Sequence, residues 1–427
     1  MKFIYEAHNP WWQGKDFDAG IGRERYLGNL PERVMRDQIE IFIGGRGMGK
    51  TTLLMQVVKH LLNAGKKAST IFYLPMHYPA LGGLSLKHHL WEVQKQVFRH
   101  RSAVHYLLVD EFQEIPLWET EIREIFNPGT LKIFAAASAP PHVRGPGRPS
   151  TRRALTLVYP LTFQEFACFR GHDSAPGEPD QMAALAEEYL LTGGYPAQVL
   201  NPIGGALAGI ITGAAASDIS ALHDLRKPYL LKDILCRLAS AVGSGVSFRQ
   251  LAAAALRLSA NTVGEYIGFL EEGWLVKFLE RWTTRRAKRV QFPKKIYLGD
   301  NGIRTILMGD EAMAIRAENA VFLEIRQSGI PCGYDGDSGG EVDFVLGSRA
   351  RPFPVDVRYE MVTDGELRRY DGLKLFIHRF PRTRKAVVVT RNAEDTIQID
   401  RTEVRAVPLW KFLWERGGLN GSNLYHG

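Results

Sequence analysis

Two short stretches hold the residue types needed to bind and break a nucleoside triphosphate. The first, GGRGMGKT, runs from Gly44 to Thr51 and fits the pattern G-x-x-x-x-G-K-[ST]. In such a loop the backbone N–H groups of Gly44, Gly45, Arg46, Gly47, Met48 and Gly49 turn towards phosphate oxygens, and the start of the following helix, with Thr52, adds its own. Glycines are required because a side chain would block that wrap. Lys50 reaches the outer phosphates and the Thr51 hydroxyl ligates magnesium. The second stretch, HYLLVDE, is an apolar run ending in Asp110 and Glu111. Asp110 is suited to bind Mg2+ through its water shell, and Glu111 to polarise an attacking water. The pair predicts hydrolysis of ATP with Mg2+, beyond nucleotide binding alone.

Two further groups bear on polyanions. In EVDFVLGSRARPFPVDVRYE (341–360), Glu341 and Asp343 lead into one strand while Asp356, Val357 and Arg358 end another. Carboxylates delivered by neighbouring strands can hold a divalent metal beside a phosphodiester. From Arg281 to Lys295 there are seven Lys or Arg and no Asp or Glu. Arg285, Arg286, Lys288, Arg289, Lys294 and Lys295 are therefore expected to contact nucleic acid, most simply DNA, through its phosphates.

These groups need a scaffold. The runs IEIFI (39–43), STIFYL (69–74), HYLLV (105–109) and LKIFAAA (131–137) alternate with helical patterns over 51–64, 86–100 and 117–126. Such alternation predicts an α/β fold with a parallel sheet covered on both faces. PPHVRGPGRPSTRR (140–153) is loop by its Pro and Gly content, and the strand ALTLVY leads out of it. From about 161 to 240 the patterns are helical, broken by GHDSAPGEPD and GGYP. Residues 230–282 follow a helix-turn-helix rhythm, with Ser247 and Ser259 as N-caps, Val263, Ile267 and Leu270 on one apolar face, and WLVKFLERW as the strand of a wing. The second helix offers Asn261 and Thr262 for base reading, but also Glu265, Glu271 and Glu272, which repel phosphate.

At 427 residues the chain is too long for one core, given roughly 150 residues per domain. Its 54 basic and 46 acidic side chains give a net charge of +8, which matters only where the charge is clustered. Cys168, Cys236 and Cys332 lie far apart, which argues against a zinc site or a disulfide framework and for a reducing, cytoplasmic location. Glu6 falls where a signal peptide would need an apolar run, and no stretch reaches the roughly 18 apolar residues of a membrane span. PIGGALAGIITGAAA (202–216) is read as helix in a packed domain, and no membrane partner is expected.

The ordered series NPWW (9–12), GGRGMGKTTLL, LLVDEFQEI (107–115), YPLTFQEF (159–166), GGYP (193–196), KIYLGDNGI (295–303), AEN (317–319), EVDF (341–344) and VPLWKFL (407–413) resembles the prokaryotic AAA-type ATPases that carry a C-terminal domain of the DUF4143 type. The resemblance spans nearly the whole chain. It implies a P-loop NTPase core with a helical lid, a winged-helix unit and a small α/β domain similar to the PD-(D/E)xK nucleases. Mapped onto this sequence, these are an N-terminal segment 1–36, a core 37–160, a lid 161–229, a winged helix with the basic stretch 230–295, and a nuclease-like domain 296–427.

Several positions depart from that family's pattern. Where such proteins read TGSS after the fourth strand this chain has AAAS, so Ala136 stands for the polar residue that senses the γ-phosphate, and turnover is expected to be slow. The family's Gly-Arg appears as Thr151-Arg152. Arg152 is therefore the expected arginine for nucleotide contact in cis or in trans, which makes a homo-oligomer an expected partner. In the nuclease-like pattern Asp343 and Asp356 bind metal, Glu318 adds a carboxylate, and lysine belongs where Arg358 stands. Guanidinium is planar and permanently charged, so the exchange is not conservative. The centre is expected to keep its fold and cleave nothing, unless Lys374 supplies the lysine. Carboxylates that cap strand ends or pair with Arg358 are the alternative. The expected function is a Mg-ATP-hydrolysing AAA-type ATPase whose C-terminal half binds DNA. The rivals are a nucleotide-dependent switch that docks a protein partner, and an ATP-gated DNA nuclease.

Overall fold

The computed structural model describes the chain apart from residues 100–102, 139–152, 173–174, 203–204, 214–228, 253–258, 284–291, 338–339, 361–370 and 417–427. It divides into two compact units, Met1–Tyr159 and Pro160–Gly427. Among the described residues of the first unit, five strands pair in parallel: β1 (Ile39–Ile43), β2 (Ile71–Pro75), β3 (Tyr106–Asp110), β4 (Lys132–Ala137) and β5 (Arg153–Leu157), in the order β2-β3-β4-β1-β5. β1, β2 and β4 are buried along their whole length, which is why the sequence gives continuous apolar runs there instead of alternation. The order has a chemical consequence: β4 lies between β1 and β3. The loop leaving β1 and the acidic end of β3 therefore flank the end of β4.

The NPWW motif closes the β2 edge of this sheet. Tyr73 N–H donates to Asn9 Oδ1 at 2.7 Å, while Asn9 Nδ2 donates to the carbonyls of Tyr73 at 3.0 Å and Tyr5 at 2.8 Å. The indole N–H groups of Trp11 and Trp12 both donate to the Ile71 carbonyl, at 3.2 and 2.8 Å. An edge so occupied offers no free ladder to another strand.

The second unit opens with helix Phe163–Phe169, started by a capping box of Thr162 and Glu165, followed by helices Pro179–Thr192, Pro196–Leu200 and Ala206–Gly213. The last of these is all that is described of the apolar stretch 202–216 apart from its first residues, and among the described residues no helix is long and apolar enough to cross a membrane. GGYP has a defined task. Gly194 N–H donates to Asp300 Oδ2 at 2.6 Å, and Asp300 Oδ1 accepts from Gly302 N–H at 2.8 Å, capping helix Asn301–Met308. A Cβ on Gly193, whose φ is +76°, would stand 1.9 Å from that same Oδ1. Only glycine fits there.

Next come helix Tyr229–Ser240, β6 (Gly245–Val246), helices Phe248–Leu251 and Ala260–Glu272, β7 (Val276–Leu279) and β8 (Lys294–Leu298), with the strands in one antiparallel sheet ordered β6-β8-β7. Val263, Ile267 and Leu270 form the buried face expected of them. Ser259 caps its helix through Thr262 N–H at 3.1 Å, whereas Ser247 precedes a single turn and makes no side-chain cap bond.

Helix Met313–Gln327 leads to β9 (Cys332–Asp337), β10 (Gly340–Ser348), β11 (Arg351–Val357), β12 (Lys385–Thr390), β13 (Asp395–Ile399) and β14 (Thr402–Pro408), a mixed sheet ordered β13-β14-β12-β11-β10-β9. β9, β10 and β11 run antiparallel, β11, β12 and β14 parallel. Val342, Val345, Phe376, Ala386 and Val388 share a buried core that includes helix Asp371–Arg379. Asp343 follows Val342 and so turns to the opposite face, where Glu318 of helix Met313–Gln327 lies.

Candidate nucleotide site and buried acidic cluster

The loop Gly44–Gly49 is shaped by its glycines. A Cβ on Gly44 would meet the Val158 carbonyl oxygen at 2.2 Å. Gly47 and Gly49 hold φ values of +78° and +88°, open to glycine at no steric cost. Helix Lys50–Asn63 begins straight after the loop, so its first turn borders it. Gly44 N–H donates to Ala137 O at 3.2 Å and Arg23 to Met48 O at 3.1 Å, which ties the loop to β4 and to the N-terminal segment. Arg46 and Thr51 are exposed, Thr52 half-buried.

Five polar side chains, Lys50, Thr51, Asp110, Glu111 and Ser138, converge at this loop. Lys50 is only 4% exposed. Its Nζ donates to Gly45 O at 3.0 Å and to Ser138 Oγ at 2.9 Å, and lies 3.9 Å from Glu111 Oε1. Ser138 Oγ in turn donates to Glu111 Oε1 at 2.6 Å. The Thr51 hydroxyl donates to Asp110 Oδ2 at 2.6 Å, an oxygen that also accepts from Tyr73 OH at 2.9 Å. Glu111 takes a left-handed backbone, φ +51°, at a cost of roughly 1 kcal/mol for a residue with a Cβ. That turn is what separates the two carboxylates, one towards Thr51 and one towards Ser138.

Their electrostatics differ accordingly. Burial pushes the Asp110 carboxyl up despite the bonds from Thr51 and Tyr73. Burial pushes Glu111 the same way, but Lys50, Gln113 and Ser138 outweigh it and hold the carboxyl below its ordinary range. Glu111 is thus an anion at neutral pH with an acceptor oxygen beside a cation.

Ser138 corrects the expectation attached to Ala136. Ala136 is fully buried inside β4, in register with Phe42 of β1, one residue before the strand ends. Ala137 is level with Ile43 of β1, so Ser138 is the first residue past β4 just as Gly44 is the first past β1. The polar group at the strand end is present, two positions further on. Register was the missing signal: with β1 and β4 paired, residues beyond Ala137 are the ones that reach the loop. Arg152 lies outside the described residues.

The second constellation assembles around a lysine. The register that pairs Phe344 with Val355 sets Asp343 beside Asp356. Asp343 N–H donates to Asp356 Oδ1, and Val357 N–H to Asp343 Oδ2, each at 3.0 Å. Into this group comes Lys295 from β8, 2% exposed, its Nζ 3.1 Å from Asp343 Oδ1 and 3.4 Å from Glu318 Oε1, and also paired with Glu341. Tyr297 OH donates to Glu318 Oε1 at 2.8 Å. Arg358 lies 2.9 Å from Asp356 Oδ2 and 3.9 Å from Asp343 Oδ2. Burial would raise Asp343, but Lys295 and Arg358 hold it low. Burial and then the Asp343 charge drive Asp356 well up, and raise Glu318 too. Lys374 pairs with Asp371 of its own helix at 3.7 Å, so the lysine among these carboxylates is another one.

This also corrects Lys295 as a nucleic-acid contact. Neighbouring strand residues face opposite ways: Lys294 is partly exposed and pairs with Glu280 at 3.0 Å, while Lys295 points inward to three carboxylates. A charge so buried and so neutralised offers nothing to a phosphate. Arg285, Arg286, Lys288 and Arg289 lie outside the described residues.

Residues 36–167 match the model of an AAA domain, in agreement with the parallel sheet, the glycine loop and the acidic strand end. The first unit therefore carries an AAA-type P-loop ATPase domain. Residues 183–314 match a domain of unknown function, DUF8612, and this replaces the DUF4143 assignment. An uncharacterised protein of Haemophilus influenzae is 25% identical over 408 residues, covering 92% of this chain and 98% of that protein. An uncharacterised protein of Methanocaldococcus jannaschii is 26% identical over 157 residues, 36% of this chain and 32% of its own length. Among solved structures, the RuvB Holliday junction branch migration motor of Thermotoga maritima is 15% identical, with a TM-score of 0.32 over 66% of this chain and 99% of that one. AMPPCP-bound DnaA from Aquifex aeolicus is 18% identical, with a TM-score of 0.30 over 58% of this chain and 86% of that one.

Proposed function

We propose that the protein binds Mg-ATP on the Gly44–Thr52 loop and hydrolyses it with Glu111. One observation carries this reading: Lys50, Ser138 and Glu111 form a connected chain beside the Thr51–Asp110 pair, all at the mouth of one glycine loop. The Thr51 hydroxyl and Asp110 carboxylate are hard oxygen donors of the kind magnesium takes, so these residues fit the ion. When bound, Mg2+ neutralises charge on the outer phosphates. Lys50 supplies a second positive charge there, already partly desolvated. Glu111, kept ionised, orients water and accepts its proton, and Ser138 fixes both Glu111 and Lys50. Arg152 is the arginine proposed to complete the site, in cis or from a second copy in a homo-oligomer.

The C-terminal half is proposed to contact DNA. Its support is the element order helix, β6, helix, helix, β7, β8, which is that of a winged helix, together with the cations Arg285, Arg286, Lys288 and Arg289 between β7 and β8. The mixed sheet bearing Asp343 and Asp356 is read as a nuclease-like domain that does not cleave. A second reading, a nucleotide-dependent switch docking a protein, gains from the neutralised Lys294 and Lys295, which reduce the basic footprint. ATP hydrolysis measured with Mg2+ or EDTA, alone and with duplex DNA, single-stranded DNA or RNA, tests the whole. Mg2+-dependent turnover that DNA accelerates is expected. Turnover indifferent to every nucleic acid favours the switch, and no turnover at all overturns the proposal.

A further inference from the structure

We infer that the Lys295 ammonium is an internal counter-ion standing in for a divalent metal, so that the acidic cluster of the C-terminal unit is held together without any cation from solution. The inference is independent of the ATPase reading and uses the nuclease-like reading only to say what is being replaced. In a two-carboxylate nuclease centre a metal would sit between Asp343 and Asp356, with Glu318 alongside. The residues here do not fit that use. Lys295 Nζ is within 3.4 Å of both Asp343 and Glu318 and also pairs with Glu341. Asp343 Oδ2 accepts from Val357 N–H and Asp356 Oδ1 from Asp343 N–H, while Asp356 Oδ2, which accepts no hydrogen bond among the described residues, already has the Arg358 guanidinium as its counter-charge at 2.9 Å. Among the described residues no group of three or more His, Cys, Asp or Glu is arranged to hold a metal ion. Lys295 is 2% exposed and Asp356 fully buried, so the ammonium and the carboxylate at the centre of the group are shut away from solvent.

The ammonium also does what a structural metal would do. It joins three separate elements, β8, helix Met313–Gln327 and β10, at one point in the interior. Gly243 belongs to the same arrangement, since a Cβ there would stand 2.6 Å from Glu318 Oε2 and force the carboxylate away from the lysine.

The test is manganese binding by the full chain without nucleotide, followed by electron paramagnetic resonance and by thermal melting, in the natural sequence, Lys295→Met, Asp343→Asn and the double variant. The natural protein should bind no more Mn2+ than Asp343→Asn, and its melting temperature should not respond to the ion. Lys295→Met should melt lower, gain one bound Mn2+ and recover part of the lost stability with it; the double variant should do neither. Binding or stabilisation by Mn2+ in the natural protein that disappears in Asp343→Asn would overturn the inference and restore a metal centre. So would a folded Lys295→Met that gains no ion. Should Lys295→Met not fold, the comparison of the natural protein with Asp343→Asn still decides.

Discussion

Ser138 sits where two opposite charges meet. Its hydroxyl accepts from Lys50 at 2.9 Å and donates to Glu111 at 2.6 Å, so it fixes the angle between them without changing the charge of either. Ser138→Ala should therefore leave ATP affinity nearly unchanged and lower single-turnover hydrolysis roughly tenfold, the worth of one hydrogen bond to a charged group. Equal losses in binding and turnover would mean that it merely shapes the loop. The glycine loop, Lys50, Thr51, Asp110 and Glu111 were legible in the sequence because phosphate binding demands particular residue types at fixed spacing. Ser138 was not, because a serine after three alanines has no signature until the register of β1 and β4 shows which residue clears the strand end.

At the scale of elements, Asp300 joins the GGYP turn to helix Asn301–Met308 across a separation of 106 residues. Both motifs could be quoted from the sequence, but their contact could not, since nothing local indicates which buried acid accepts which N–H. Burial raises the Asp300 carboxyl to about 7, outweighing the bonds from Gly194 and Gly302. The folded state then holds this proton more tightly than the unfolded chain does. Its contribution to stability is full below the ordinary carboxylate range and is lost as pH rises through about 7. Asp356 and Glu318, also raised, act with the same sign. The melting temperature should fall between about pH 5 and about pH 8, and the fall should be shallower in Asp300→Asn, although that variant starts lower because it loses the acceptor for Gly194. An unchanged slope would place the titration elsewhere. β8 gives the complementary lesson. Composition counted Lys294 and Lys295 together, whereas the pleat of the strand sends one outward and the other into the acidic cluster.

At the scale of the whole molecule, an ATPase domain is joined to a second unit whose basic segment is proposed to grip DNA. Reversing Arg285, Arg286, Lys288 and Arg289 to Glu should weaken binding to all DNA sequences alike and flatten its salt dependence by a slope of roughly 0.9 per lost phosphate contact. Basal hydrolysis should persist in that variant, and an unchanged salt slope would remove the DNA reading while leaving the ATPase intact. Hydrolysis itself is the central claim, and the most direct measurement compares ATP binding and single-turnover cleavage in the natural protein, Lys50→Ala and Glu111→Gln. Lys50→Ala should lose affinity by roughly 10- to 100-fold, as expected for a lost charged hydrogen-bond donor to phosphate. Glu111→Gln should bind ATP as the natural protein does and lose turnover by roughly 100-fold or more, the scale of a missing general base. Glu111→Gln that fails to bind, or that hydrolyses ATP at the natural rate, would contradict the account.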